Sequence, residues 1–330
     1  MSSPAANTET GEMGQSTTAR INPVPGPATR PPLVLVTCAG RSGSKWMLRL
    51  LDFHPQTLCR NEPERMSPWL KDRDTPDWDA WFRRAMDVGP RIGFVDRTPA
   101  MPKDHMRAWV KATRADKLLY TRTLQKLLGR HPEARYPGAF YNASRVATAQ
   151  RVLKVINARY FICRALQETD HFPIIHMIRH PGGMLNSWLN RFAPTQDQTE
   201  LFATQQQILR NIHESDPAYA SISGPVEGKE LVELKLWCWR HAQDHILRLG
   251  REHPRYMPVV FEQLSQDPIR LMEPIYAMCG LEFTDQVRTL IRAETSQSES
   301  IAAAWKDKLG IERVAHVERV LDGSAVGEIL

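Results

Sequence analysis

Short, uninterrupted apolar runs alternate along the chain with longer stretches in which apolar residues recur at helical spacing. Uninterrupted runs are typical of strands that are buried on both faces of a parallel sheet. Strands are predicted at Leu33–Cys38, Ile92–Val95, Val152–Ile156, Ile174–Ile178 and Met257–Phe261. Amphipathic helices are predicted at Lys45–Phe53, Leu201–His213, Leu231–Leu249 and Ile269–Cys279. This alternation predicts an α/β fold, a three-layer αβα sandwich around a central parallel sheet.

The flanking and intervening segments suggest how the chain is organised. Residues 1–32 are rich in Ser, Thr, Ala, Gly and Pro and contain no aromatic residue, so a disordered tail is predicted there. A single domain is expected over 33–330. Within it, Ser67–Ser144 reads as a large, mostly helical insertion that covers one end of the sheet.

Composition and charge narrow the function classes. The 330 residues carry 43 Lys and Arg against 37 Asp and Glu, a net charge of +6 that suits an anionic ligand. Acids interleave with the bases, so no nucleic-acid partner is expected. No apolar run approaches the roughly 18 residues of a membrane span, and no secretory signal is apparent. The five cysteines are scattered without a CxxC pair, which favours a cytoplasmic location and no metal site.

The most informative segment is the polar turn between the first predicted strand and the first predicted helix. Gly40 and Gly43 permit a tight turn, and the backbone amides that open the helix point towards an anion together with the helix dipole. Arg41 and Lys45 add positive charge at the same place. This turn is therefore predicted to bind phosphate.

The spacing within the turn separates it from a Walker loop. That motif, G-x-x-x-x-G-K-[ST], needs a hydroxyl residue directly after the lysine to hold magnesium. Here Trp46 follows Lys45, and Gly40 lies at the wrong spacing from Gly43. This spacing disfavours a kinase or another enzyme that uses nucleoside triphosphates, without excluding that class. An ordinary surface turn with no ligand is also left open.

A second candidate phosphate contact lies at the end of the strand Ile174–Ile178. Arg179 follows this strand at the edge where open α/β sheets bind ligands, and Pro181 is a proline at the first position of a helix. Ser187, eight residues after Arg179, is expected on the second turn of that helix, facing the strand end. Arginine and serine are expected to converge on one phosphate.

These two segments resemble those of the sulfotransferase family. Arg41–Trp46 (RSGSKW) resembles the 5′-phosphosulfate-binding loop, usually [KR]-S-G-[ST]-[ST]-x, and Lys45 departs from it. Arg179 with Ser187 resembles the family's contact to the 3′-phosphate. The stretch 259–264, Asp267-Pro268 and the Gly280-Leu281 pair resemble its C-terminal half. The resemblance covers about two thirds of the chain but not the insertion, where it implies that acceptor specificity lies.

The resemblance implies a P-loop-containing nucleotide-binding fold and a specific chemistry. The donor would be 3′-phosphoadenosine-5′-phosphosulfate (PAPS), the product 3′-phosphoadenosine-5′-phosphate (PAP), and no metal would be required. Trp46 would stack on adenine or anchor the core. The residues that it implies as donor-binding are Arg41, Ser42, Gly43, Ser44, Lys45, Trp46, Arg179 and Ser187.

Three residues are candidates for the transfer step. Glu62 resembles the glutamate general base of the carbohydrate and protein-tyrosine branch, and Glu64 is its close neighbour. Lys154 lies inside a predicted buried strand, where a lysine is costly unless it is paired or faces a cleft. It is the candidate cation on the bridging oxygen beside Arg41, with Arg97 as the alternative.

The roles of several other side chains and the chemical identity of the acceptor are left open by the sequence. A histidine base is the alternative to Glu62; His54 is expected to end the first helix, His105 to lie on the insertion surface and His176 to be buried in a strand. Insertion aromatics either wall an acceptor pocket or pack ordinarily: Trp69, Trp78, Trp81, Phe82 and Trp109. The acceptor would be a small molecule, carbohydrate or lipid with a hydroxyl or amine. An inactive nucleotide-binding scaffold and the oligomeric state also stay open.

Overall fold

Five parallel strands form one sheet in the computed structural model, in the order β2-β3-β1-β4-β5. The structure describes residues 33–62, 101–113, 142–191, 193–296 and 298–330. The strands are β1 (Leu33–Cys38), β2 (Thr57–Asn61), β3 (Gln150–Ile156), β4 (Ile174–Ile178) and β5 (Tyr256–Val260). All residues of the central β1 and β4 are buried, which explains their uninterrupted apolar sequences.

Four of the predicted strands are present, and one boundary was wrong. The strand predicted to reach Phe261 ends at Val260, because Phe261 opens a helix and its ring packs beneath Gly43. The predicted strand Ile92–Val95, the tail 1–32 and most of the insertion lie outside the described residues.

Helices surround the sheet, and the predicted ones begin and end within about three residues of their expected bounds. Asp267 caps its helix by accepting from the Arg270 amide, as the Asp-Pro pair predicts. None of the described helices is long and apolar enough to cross a membrane. They are α1 (Ser44–Asp52), α2 (Ala108–Thr113), α3 (Ala143–Thr148), α4 (Arg159–Glu168), α5 (Pro181–Arg191), α6 (Gln198–Ser215), α7 (Pro217–Ser223), α8 (Leu231–Gly250), α9 (Phe261–Gln266), α10 (Pro268–Met278), α11 (Asp285–Thr295), α12 (Ser298–Ala303) and α13 (Ile311–Leu321).

The two faces of the sheet carry separate apolar cores. Side chains alternate along a strand, so Val34 and Val36 point to the face covered by α1, α10 and α11. Leu33 and Leu35 point to the opposite face, which is covered by α4 and the end of α8. The αβα sandwich expected from the sequence is therefore confirmed.

The sheet order fixes where a ligand can bind. The chain leaves β1 towards β2 at one edge of the sheet and leaves β4 towards β5 at the other, and β1 and β4 are neighbours. A crevice opens at such a reversal, beyond the carboxyl ends of the strands. The loop after β1 and Arg179 after β4 both lie there.

The described segment 101–113 of the insertion is tied to the end of α1. The Lys103 ammonium is buried and lies 2.7 Å from the Asp52 carboxylate, and it donates to the His54 carbonyl at 3.0 Å. A cation at this end of the helix also faces the negative end of the helix dipole. His54 follows α1 directly, as expected.

His105 follows this anchor, and the expectation that it lies on the insertion surface was wrong. Its side chain is 2% exposed because the segment packs against the end of α1 rather than over solvent. Burial, aided by Lys103, lowers the pKa of His105 to about 3. Burial also lowers the pKa of His176, inside β4, to about 3.

These two histidines should make the protein sensitive to mild acid. The unfolded chain takes up their protons near pH 6.5, whereas the folded chain takes them up only near pH 3, so stability falls as pH falls below 6.5. Each contributes a slope of about 1.4 kcal/mol per pH unit in that window. Urea unfolding of His105→Gln between about pH 6 and pH 5 should show that much less slope. His171→Gln, at an exposed position, should keep the parent slope, and an unchanged slope in His105→Gln would contradict the prediction.

Candidate active site

The loop between β1 and α1 has the shape of an anion cradle. Gly43 adopts φ 80°, and a Cβ at this position would come within 2.4 Å of the Phe261 ring. The Trp46 and Met47 amides turn back onto the Gly43 carbonyl and start α1. The preceding amides therefore form the positive end of the helix, where an anion is stabilised.

Left-handed backbone at residues other than glycine is confined to the same edge of the sheet in the described part of the chain. Arg41 has φ 73°, Glu62 has φ 52° and Asn157 has φ 51°. They follow β1, β2 and β3 respectively. Such conformations cost energy and persist where the surrounding structure requires them, which is common at functional sites.

Asn157 holds the loop and was missed by the sequence analysis. Its Oδ1 accepts from the Gly40 amide at 3.0 Å, and its own amide donates to the Cys38 carbonyl at 3.1 Å. Asparagine tolerates left-handed backbone better than most residues, so an Asn at a strand end was the available signal. The clamp joins the end of β3 to the loop after β1.

Arg41, Arg179 and Ser187 come together at this loop. Arg41 donates to the Ser187 hydroxyl from Nε at 2.9 Å and from Nη2 at 2.7 Å. Arg179 donates from Nη1 to the Arg41 carbonyl at 3.3 Å. Burial, followed by the charge of Arg191, lowers the pKa of Arg41. The two predicted phosphate contacts are thus parts of one cluster.

The Arg179 guanidinium does not use all of its hydrogen-bond donors within the protein. It stacks 4.6 Å above the Phe261 ring, lies 4.0 Å from Glu262, and its buried Nε has no hydrogen-bond partner among the described residues. A Cβ at Gly183 would come within 2.8 Å of Nε, so glycine leaves the guanidinium its space. Burial lowers the pKa of Arg179. A buried cation with unused donors suits an anionic ligand.

A set of contacts not found from the sequence orients the strand end that carries Arg179. The His180 amide donates to Glu262 at 3.2 Å, and the His180 ring stacks on Trp305 at 4.4 Å. His180 Nδ1 accepts from the Gly182 amide, so His180 caps α5. Burial raises the pKa of Glu262. Glu262 lies two residues after the end of β5, at the ligand-binding edge of the sheet. This position was the signal in the sequence that could have identified it.

The remaining loop residues differ in exposure. Ser44 accepts from the Cys38 thiol at 2.9 Å, while Ser42 Oγ is buried without a hydrogen-bond partner among the described residues. Lys45 is exposed, and Trp46 meets the Phe261 ring edge-on at 5.4 Å. Ser44, Lys45 and Trp46 line the cavity described below, whereas Ser42 does not.

Glu62 and Lys154 form one buried pair. Lys154 Nζ lies 2.7 Å from Glu62 Oε1 and 3.0 Å from Asn61 Oδ1. The Glu62 amide donates to the Lys154 carbonyl at 2.8 Å, so the pairing of β2 with β3 sets their relative position. The side chains are 8% and 2% exposed. The candidate base and the candidate cation are direct neighbours.

A cavity of about 1240 Å³ opens above these groups and extends between α5, α6 and α8. Its basic lining residues are Arg41, Lys45, Arg49, Lys154, Arg159, Arg179, Arg191 and Lys235. Its described acidic lining residues, Asp52 and Glu294, pair with Lys103 and Arg49 at 2.7 Å. Glu62 and Ser187 do not line the cavity themselves; each contacts a residue that does, Lys154 for Glu62 and Arg41 for Ser187. The cavity is therefore positively charged.

Several other candidates do not join the site. Among the described residues, His54 and His105 are buried away from the cavity, and Trp109 is 47% exposed and does not line it. Glu64, Arg97 and the other insertion aromatics lie outside the described residues. Within the described ranges, no three His, Cys, Asp or Glu side chains are arranged to hold a metal.

The family model described as "Sulfotransferase family" matches residues 32–285. The chain belongs to the sulfotransferase family. The match includes the loop after β1, the Glu62–Lys154 pair and the Arg179 cluster. No curated protein matches this sulfotransferase.

Solved structures include distant likenesses. The sulfotransferase domain from the curacin biosynthetic pathway is 13% identical, covers 88% of this chain and 97% of its own, and gives a TM-score of 0.45. A mouse sulfotransferase complexed with PAP is 11% identical, with coverages of 91% and 88% and a TM-score of 0.43. Retinol dehydratase in a complex with retinol and PAP is 10% identical, with coverages of 90% and 83% and a TM-score of 0.39.

Proposed function

We propose that this sulfotransferase moves a sulfuryl group from PAPS to a hydroxyl or amine of its acceptor by in-line transfer. The observation that carries the proposal is the convergence of Arg41, Arg179 and Ser187 beside a helix N-terminus. The loop amides and the guanidinium of Arg179 offer donors to two separate phosphates. PAPS carries a phosphate at each end of its ribose, so one nucleotide can satisfy both.

The donor-binding roles follow the geometry. Arg41 to Trp46 hold the 5′-phosphosulfate, with the first-turn amides of α1 and the Lys45 ammonium facing it. Arg179 and Ser187 hold the 3′-phosphate, and Arg41, which donates to the Ser187 hydroxyl, keeps that serine beside the loop. Trp46 and Phe261 form an aromatic corner for the adenine. Ser42, which is buried off the cavity, supports the turn.

The transfer step uses the buried pair formed by Glu62, which follows β2, and Lys154, which lies within β3. Glu62 takes the proton of the acceptor as its oxygen or nitrogen forms a bond to sulfur. The bond from sulfur to the bridging oxygen of the 5′-phosphate breaks, and PAP leaves with that electron pair. Lys154, Arg41 and Lys45 stabilise the charge that develops on the bridging oxygen. The 2.7 Å contact between Glu62 and Lys154 keeps both groups at one reacting centre.

Calorimetric titration with PAP, ADP and ATP, with and without magnesium, tests the donor. PAP should bind tightly without magnesium and in preference to both other nucleotides. Arg179→Ala should weaken PAP about 10- to 100-fold, because charge-assisted hydrogen bonds to phosphate are lost. The same change should affect ADP little, since ADP lacks the 3′-phosphate.

Arg270→Ala is the matched control, because Arg270 is 65% exposed and does not line the cavity. Its PAP affinity should equal that of the parent. A preference for ATP with magnesium would overturn the proposal in favour of a kinase. If none of the nucleotides binds, the proposed donor site does not exist.

A further inference from the structure

The cavity has an arm that the donor-binding and transfer residues do not use. We call it the distal arm and define it by the lining residues of α5, α6, α8 and the start of α4. Asn157 precedes the first of these residues in the chain, and none of them belongs to the loop after β1. Its described lining includes the basic residues Arg159, Arg191 and Lys235 and the apolar residues Trp188, Leu201 and Ile208. The arm is thus apolar and basic together.

Lys235 is the central cation of the distal arm. Its Nζ lies 4.6 Å from the centre of the Trp188 ring, a cation–π contact. No hydrogen bond or ion pair joins this ammonium to any residue that the structure describes. Burial lowers the pKa of Lys235. A largely buried ammonium is costly where the described lining around it, here that of the distal arm, contains no carboxylate and no ligand supplies the negative charge.

Arg159 lines the same arm, and the side chain next to it, His241, is neutral at neutral pH. Its Nη1 contacts His241 Nδ1 at 2.9 Å, and burial lowers the pKa of His241 to about 4. The carboxylate of Asp216 lies 3.4 Å from His241 Nε2, on the far side of the imidazole ring. Asp216 does not line the cavity, so its charge does not face a ligand there.

Charge is therefore distributed unevenly along the cavity. Its acidic lining residues among those described, Asp52 and Glu294, belong to α1 and α11, and each already has a basic partner. The distal arm has basic groups and no acidic group in its described lining. An anionic group would be held there by Lys235 and Arg159, and an apolar body would contact Trp188 and Ile208.

We propose that the distal arm binds the acceptor, and that the acceptor is an amphipathic organic anion whose negatively charged group pairs with Lys235 and Arg159. This rests on the proposed function and names its substrate class. Part of the acceptor specificity then comes from α6 and α8 rather than from the insertion alone. A neutral molecule of the same shape would leave both cations unpaired and should be rejected.

The test compares two probes that share one ring system and differ in charge and in one methyl group. The parent, saturated with PAP so that its phosphate sites are filled, is titrated calorimetrically with 6-hydroxy-2-naphthoate and with the methyl ester of that acid. The acid should bind at least about tenfold tighter than the ester. Lys235→Met should remove that preference by weakening the acid alone, whereas Lys235→Arg should keep it.

Arg248→Met is the control, because Arg248 is an exposed cation on the same helix that does not line the cavity. It should behave as the parent, and all three variants should keep the parent affinity for PAP. Equal binding of acid and ester to the parent, no binding of either, or equal loss of both in Lys235→Met would overturn the inference alone. If the parent does not bind PAP at all, the proposed function itself is overturned.

Discussion

Glu62→Gln is expected to lower turnover by about 10²- to 10⁴-fold, because glutamine cannot accept the acceptor's proton. The replacement keeps the size of the side chain and an oxygen that can still accept from Lys154, so the fold and PAP affinity should persist. Turnover is measured as transfer of labelled sulfate from PAPS to a panel of phenol, carbohydrate and amine acceptors. Calorimetry with PAP on the same sample separates chemistry from binding.

His105→Gln is the control for a histidine base. With a pKa lowered to about 3 and a position away from the cavity, His105 should contribute nothing to proton transfer. Its turnover should match the parent near neutral pH. Parent-like turnover in Glu62→Gln would show that the base is another group, whereas PAP binding would still report on the donor site.

Lys154→Ala is expected to lower turnover by about 10²- to 10³-fold, because it removes a cation from the bridging oxygen. The same change leaves the Glu62 carboxylate buried beside Asn61 without its ion-pair partner, and such losses destabilise the fold. Urea unfolding is therefore measured beside turnover. A similar loss of PAP affinity and turnover would instead make Lys154 a binding residue.

The double variant Glu62→Gln with Lys154→Ala tests whether the pair acts as one unit. The two side chains are 2.7 Å apart, so their effects on turnover should be far from additive. The double variant should be little slower than the slower single variant. Multiplicative losses would contradict a shared role at one reacting centre.

Local patterns explain how much of the fold could be predicted. A strand buried on both faces, such as β1, is an uninterrupted apolar run in any context. The Asp267-Pro268 pair specifies a helix start by the chemistry of its own side chains. The boundary at Phe261 could not be found in this way, because packing beneath Gly43 decides where the strand stops.

Positive charge in the cavity was predictable only in part. The donor loop and Arg179 follow strands directly, so their edge of the sheet was predicted from order in the chain. Lys235 lies in the second turn of a long amphipathic helix, where a lysine ordinarily indicates a solvent-exposed position. Only the packing of α8 against α5 brings it over Trp188 and into the cavity.

The sequence by itself determined the αβα class and the central strands, and it predicted a phosphate-binding turn with Lys154 and Arg179 as candidates. These depend on short-range properties, such as apolar periodicity, glycine backbone freedom and proline at a helix start, whereas Glu62 was implied by the family resemblance. The tertiary structure alone decided which candidates are partners. The sheet order places β2 beside β3 and β1 beside β4, so Glu62 pairs with Lys154 and Arg41 reaches Ser187 across 146 residues. Strand order is set by burial summed over the whole core, and no single segment of the chain encodes it.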